Sequence, residues 1–374
     1  MSRRLDVLLA LDYYAPYVSG LTNVARDVAE GLVERGHRVR VIAARHDRRL
    51  PEREMIAGVE VERAPVLARF GKAVVSPALV RRVVAAARGA SVTNLHLPMP
   101  EAGAIAPFVR SPLVVTYHCD VSPPPGAVGR IESAGVDLSS RVALRRAGSV
   151  VVTSDDYARA SRVWPAMAGR TAVVPPPCHE RPPGEPRFRD GAGLHVGFLG
   201  RIVEEKGLQH LVRGFQLLDD PDARLVIGGD FAEVAGGSVV DQVRRAVDGD
   251  PRIRLLGFLP EEQIADLYAS VDVFALPSVN AFEAFGIVQV EAMMAGVPAL
   301  ASDLPGVRVP VRETGFGVVV PPRDPAAIAE GLRRLAAQPP DAEAGRRAAR
   351  ERYAAPTVID AYEELLVSAA ASGR

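Results

Sequence analysis

The chain has 374 residues, 48% apolar and 24% charged, with equal numbers of basic and acidic side chains. These proportions describe a globular protein of two domains and exclude a fibrous or disordered chain. Aromatic residues are only 5% and no nucleic-acid-binding motif is present, so no nucleic acid partner is expected.

Taken in chain order, the sequence alternates strand and helix. LDVLLAL at the N-terminus reads as a first strand; Asp6 and Asp12 interrupt the apolar run and no small-residue cleavage site follows to make it a leader. The loop YYAPYVSG closes on Gly20. Apolar residues at Leu21, Val24, Ala25, Val28, Leu32 and Val33 then make an amphipathic helix that Gly36 ends. HRVRVIAA completes a βαβ unit, which predicts a parallel sheet covered by helices. The series continues with a helix over VSPALVRRVVAAARGA, strands at SVTNLHL and PLVVTYH, a helix at SSRVALRRAG and a strand at SVVVTS. Residues 174–193 are dense in Pro and Gly and read as a linker. Beyond it come LHVGFLG, a helix from Gly207, ARLVIGGD, a helix near Val239–Val247, IRLLGFL, a helix from Glu261, VDVFALP and a helix from Ile287. VPALAS, GFGVVVP and two C-terminal helices finish the chain.

The expected domains are therefore 1–178 and 194–355, joined by a Pro/Gly-rich linker at 179–193. A helix at about 356–374 is free to pack back on the first. The fold class is α/β: two Rossmann-like, doubly wound parallel-sheet domains facing each other across a cleft. Ligands are expected at the carboxyl ends of the strands.

Two stretches carry chemistry. The first, SVNAFEAFGIVQVEAMMAGVP (Ser278–Pro298), is a polar loop followed by a buried helix entered through Gly286. Such an entry offers free backbone N–H groups and the positive end of the helix dipole to an anion. Glu283, beside that anion site, suits sugar hydroxyls better than the anion itself. Glu291 interrupts an apolar pattern and so requires a partner. The second stretch, GFLGRIVEEKG, holds Arg201 and Lys206 in a glycine-bounded loop before a helix. Lys206 is one of two lysines against 43 arginines, which hints at a need for a compact charge. A diphosphate leaving group is such a need. A solvated basic loop is the other reading, and the residues alone leave both open.

In combination these motifs resemble the nucleotide-sugar-dependent, retaining glycosyltransferases of family 4, which have the GT-B fold. Glu283 and Glu291 match that family's pair of glutamates separated by seven residues. PYVSGLTNVARDVAEGLVERGHRVRVI is similar to its glycine loop and first long helix, and LVVTYHCD to its strand ending in a histidine. The resemblance spans nearly the whole chain. It implies that Arg201 and Lys206 bind the donor diphosphate and stabilise it as it leaves. Glu291 would bind the ribose hydroxyls and Glu283 the transferred sugar. The backbone of Phe285, Gly286, Ile287 and Val288 would line sugar and phosphate. Gly20 would bring a loop against the phosphates, and His118 would contact the donor sugar near the reacting carbon. Without the resemblance, His118 at a strand end reads as structural, as His96 still does. The chain departs from the family pattern at Ser19, at VVPPPCH, and at Pro310, where no site is assigned.

The expected activity is transfer of a hexose-type sugar from a nucleoside-diphosphate sugar to an acceptor hydroxyl of a glycan, glycolipid or secondary metabolite, with retention. No Asp-x-Asp motif is present, so neither a metal nor another cofactor is expected. Competing readings are a GT-B-fold sugar-nucleotide epimerase and a non-catalytic nucleotide-sugar-binding protein. Residues 1–180 carry 24 Lys+Arg against 17 Asp+Glu, an excess of +7. Within segment 63–89, Arg63, Arg69, Lys72, Arg81, Arg82 and Arg88 face no acidic neighbour in sequence. An anionic membrane surface is thus a second expected partner, weighed against a solvated basic face. Cys119 and Cys178 form no motif, and the expected location is cytoplasmic, at the inner face of the membrane if the basic segment binds it.

Overall fold

The computed structural model describes residues 4–70, 73–121, 126–229, 239–280 and 282–372. The chain divides into two compact units, residues 1–177 with 355–374, and residues 178–354.

The first unit opens with β1 (Asp6–Leu11), α1 (Gly20–Glu34), β2 (Arg38–Ala44), β3 (Arg53–Ile56) and β4 (Val59–Ala64). A small hairpin, β5 (Ala68–Phe70) and β6 (Ala73–Val75), precedes α2 (Pro77–Ala86) and β7 (Val92–Leu97). Then come α3 (Ala102–Ile105), β8 (Leu113–Tyr117), α4 (Ala127–Arg146), β9 (Ser149–Val152), α5 (Asp155–Ala160), α6 (Trp164–Met167) and β10 (Thr171–Val173). The main sheet runs β10-β9-β8-β7-β1-β2-β4-β3, parallel throughout except for the edge pair β3 and β4. Central strands are buried on both faces, which is why β1 reads as a continuous apolar run, whereas β7 buries Thr93, Asn94 and His96 among its apolar residues. Strand order reverses between β1 and β7, so the loops after these strands sit at the topological switch point.

The second unit holds β11 (His195–Leu199), α7 (Leu208–Gln216), β12 (Arg224–Gly228), α8 (Val240–Val247), β13 (Ile253–Gly257), α9 (Glu261–Ser270) and β14 (Val273–Leu276). It continues through α10 (Ile287–Met294), β15 (Ala299–Ser302), α11 (Val309–Thr314), β16 (Gly317–Val320), α12 (Pro325–Ala337) and α13 (Ala342–Tyr353). Its all-parallel sheet has the order β13-β12-β11-β14-β15-β16, with the reversal between β11 and β14. One apolar core packs α7, α8 and α12 on one face, around Phe198, Phe215 and Leu332. A second packs α9, α10 and α13 on the other, around Phe274, Met293 and Tyr353. The last helix, α14 (Ala355–Ser372), returns to the first unit and packs against α1. Arg35 bonds Asp360 at 2.5 Å there, and His37 lies 3.1 Å from Glu363.

The structure corrects several expectations. Residues 179–193 do not form a free linker; they are laid along the second unit. Glu185 N–H donates to Asp266 Oδ1 at 2.8 Å and Phe188 N–H to Ser270 Oγ at 3.0 Å. Proline limits a segment to extended backbone without preventing its attachment through side chains. Three helices, not two, follow β16, since α13 and α14 meet at Ala354 beside Pro356. Two arginines of the basic segment are used inside its unit, while Arg81 and Arg88 are exposed. Arg63 is fully buried and pairs with Glu54 at 2.5 Å, while Arg82 holds Glu52 at 2.5 Å and Glu62 at 3.0 Å. Lys72 lies outside the described residues. The apolar side chains Leu79 and Val83 of α2 are buried rather than presented outward.

Candidate active site

In the second unit, the loops that follow β11 and β14 are joined by backbone. Val279 N–H donates to the Glu205 carbonyl at 2.9 Å. Lys206 ends a short 3-10 turn in the first of these loops, and its ammonium forms an ion pair with Glu283 Oε2 in the second. Both side chains are about one-sixth exposed, at 15% and 16%. The buried Ser278 hydroxyl lies 3.5 Å from the same carboxylate oxygen. Arg201 is more open, at 44% exposure, with its guanidinium 3.5 Å from Glu205. The structure therefore brings Lys206 and Glu283 together and leaves Arg201 beside them as a solvated cation.

The helix α10 begins at Gly286, whose φ of +83° lies in the left-handed region. A Cβ there would fall 2.3 Å from Leu276 Cδ2 and 2.9 Å from Gln289 Nε2, so only glycine fits. The buried Gln289 side chain fixes this turn by donating to the Phe285 carbonyl at 2.7 Å and the Val307 carbonyl at 2.9 Å. No side chain caps the helix. The first-turn N–H groups of Ile287 and Val288 have no partner within the helix, and the positive dipole end adds to them. Phe285 is buried and packs edge-on against Tyr353, with ring centroids 5.5 Å apart.

Glu291, in the body of α10, has the partner its position demanded. Arg181 Nε and Nη2 donate to its Oε2 at 3.1 and 3.0 Å. The Tyr268 hydroxyl lies 3.1 Å from the same oxygen. Burial pushes the Glu291 carboxyl upward, and the Arg181 charge and these hydrogen bonds pull it back. Arg181 comes from the stretch expected to be a linker, so nothing in the sequence singled it out.

Gly20 and His118 belong to the first unit. Gly20 is the first residue of α1, and a Cβ on it would meet nothing within 4 Å. Ser19 caps α1: its hydroxyl accepts from Thr22 N–H at 3.2 Å and donates to Thr22 Oγ1 at 3.0 Å. That local role explains the serine where the family pattern has glycine. His118 follows β8 and its Nε2 lies 3.0 Å from His96 Nδ1, the two rings stacked. Burial lowers the His118 imidazole to about 3, and burial together with the His118 charge lowers His96 well below its ordinary value. His118 is thus a neutral hydrogen-bonding group and not a base poised near neutrality. His96, which reads from sequence as merely structural, is its direct partner. In the loops after β1 and β7, Asp12 and Glu101 press together. Burial and the Glu101 carboxyl raise Asp12 well above the usual carboxylate range.

Chemically, the second unit offers a compact cation, a carboxylate and an uncapped helix start within one loop system. That set suits an anionic group bonded to a polyol. Among the described residues, no cluster of three His, Cys, Asp or Glu side chains could hold a metal ion. No described helix is long and apolar enough to cross a membrane.

Sequence comparison gives these features their family. The model described as glycosyl transferases group 1 matches residues 189–352, and that of the glycosyl transferase 4-like domain matches residues 19–177. The chain belongs to the group 1 glycosyltransferases. A 2-deoxystreptamine glucosyltransferase of Streptomyces kanamyceticus is 30% identical over 286 residues, covering 70% of this chain and 73% of that protein. Among solved structures, sucrose-phosphate synthase from Thermosynechococcus elongatus superposes with a TM-score of 0.76 at 19% identity, over 99% of this chain and 100% of that one. Anabaena HepE, in complex with UDP and glucose, gives 0.71 at 19% identity, over 98% and 100%. The fold of this glycosyltransferase is accordingly GT-B, with two Rossmann-like parallel-sheet domains.

Proposed function

We propose that this glycosyltransferase is a retaining, metal-independent enzyme of family 4. It moves a hexose-type sugar from a nucleoside-diphosphate sugar to an acceptor hydroxyl. The observation that carries the reading is the Lys206–Glu283 pair beside the uncapped start of α10. HepE binds UDP and glucose, and the Streptomyces relative is named a glucosyltransferase, which supports a nucleotide-sugar donor here.

In this reading the donor diphosphate meets Lys206, Arg201 and the first-turn N–H groups of α10, and the loop of Gly20. Glu283 accepts hydrogen bonds from hydroxyls of the transferred sugar, and His118 contacts that sugar near the reacting carbon. As the bond between the anomeric carbon and the diphosphate oxygen breaks, negative charge grows on the diphosphate, where fixed cations stabilise it. The acceptor oxygen bonds the anomeric carbon from the same face, and its proton passes to the departing diphosphate. No side chain is assigned as a nucleophile; catalysis rests on positioning and electrostatics.

The test is proton NMR of the anomeric signal during turnover, with nucleoside-diphosphate hexoses and a polyol acceptor panel in excess EDTA. Retention of configuration at full rate in EDTA is expected. Inversion, or activity that EDTA abolishes and magnesium restores, contradicts the proposal.

A further inference from the structure

We infer that Arg181 is a positioning residue for the donor. It clamps one oxygen of Glu291 so that the other is held out to the ribose hydroxyls. The inference rests on the donor reading above and deepens it.

Two Arg181 donors converge on Glu291 Oε2, Nε at 3.1 Å and Nη2 at 3.0 Å, and the Tyr268 hydroxyl lies 3.1 Å from the same oxygen and 3.2 Å from the Val288 carbonyl. Among the described residues, none bonds Oε1. A carboxylate on a rigid helix with one saturated oxygen has a single direction left in which to accept. The guanidinium is itself fixed, because its Nη1 donates to Glu261 Oε1 at 2.5 Å. Its planar fork thus spans two carboxylates at once, which an ammonium cannot reproduce.

The backbone carrying Arg181 is pinned on both sides. Cys178 N–H donates to the Tyr353 carbonyl at 2.9 Å, and Glu185 N–H to Asp266 Oδ1 at 2.8 Å. The Arg181 and Glu291 side chains are only 16% and 11% exposed. In that setting an unpaired Glu291 would take up a proton and lose strength as an acceptor. Arg181 therefore sets both the orientation and the charge of a group that touches ribose, without touching ribose itself.

The experiment measures calorimetric affinities of the full-length protein for UDP, GDP and ADP and for their 2′,3′-dideoxy forms. The wild type should bind its preferred diphosphate at least about tenfold more tightly than the dideoxy form, the scale of one hydrogen bond to a charged group. In Arg181→Gln that ratio should fall to within about threefold, with dideoxy affinity unchanged, a selective loss that general damage to the fold does not produce. Arg181→Lys, which keeps the charge without the fork, should give an intermediate ratio and serves if the Gln variant does not fold. A ratio unchanged from wild type in either variant overturns the inference. A wild-type ratio near one overturns the role of Glu291. Failure of the wild type to bind any of the diphosphates overturns the donor reading itself.

Discussion

The two units handle their polar side chains in opposite ways. In the second, side chains of opposite charge are matched in pairs, Lys206 with Glu283 and Arg181 with Glu291, all partly open to solvent. In the first, the groups at the carboxyl edge of the sheet are buried. Burial holds the His96 and His118 imidazoles well below their ordinary value and, with the Glu101 carboxyl, holds Asp12 well above its own. Under the proposed reading, the second unit brings fixed charge to the diphosphate, and His118 of the first brings an uncharged ring to the sugar hydroxyls.

Glycine gives the largest expected contrast. Gly286 is required by the fold, since its φ of +83° and the Leu276 contact exclude a side chain. Gly286→Ala should destabilise the protein by about 3 kcal/mol through left-handed strain and overpacking. Gly20 has open space where a Cβ would stand, so Gly20→Ala should leave stability within about 0.5 kcal/mol. Urea denaturation of both variants checks this. Equal losses would mean that Gly20 also serves the fold, and the contrast would fail.

Acid provides a smaller effect. His118 is lowered to about 3 and His96 well below its ordinary value, so the unfolded chain binds two protons near pH 5 that the folded unit refuses. Their contribution to stability is whole above pH about 6.5 and is lost as pH falls toward the folded values. Asp12 works with the opposite sign, since its raised carboxyl keeps one proton in the folded state that the unfolded chain has lost. Glu101, raised by burial as well, acts in the same sense as Asp12, so the carboxyls offset the histidines, and His96→Asn should lose less stability than the wild type between pH 7 and pH 5. Denaturation midpoints at pH 7 and pH 5 measure it; an equal change in the two proteins would place the titration elsewhere.

Much of the fold was legible because parallel sheets write themselves as apolar runs. The αβ alternation, the entry of α10 and the Glu283–Glu291 spacing all follow from residues visible in sequence. The edge pair β3 and β4 was not, because VEVERA carries its charges inward: Glu62 and Arg63 are buried and matched by Arg82 and Glu54. Arg181 was equally hidden. One arginine among 43 in a proline-rich stretch carries no pattern, and its meaning comes only from where Glu291 and Glu261 stand. The pairing of His96 with His118 depends on adjacent strands, β7 and β8, coming into register across 22 positions of sequence. Periodicity reports one element at a time, and such a contact belongs to two.

The claim that the second unit meets the donor with fixed charge is tested most directly at Lys206. Calorimetry should compare the preferred nucleoside diphosphate with its monophosphate, in the wild type and in Lys206→Ala. The account predicts that the wild type gains at least about tenfold in affinity from the second phosphate and that the variant loses most of this gain. A variant that keeps the full gain would show that Lys206 serves Glu283 alone, and would contradict the account.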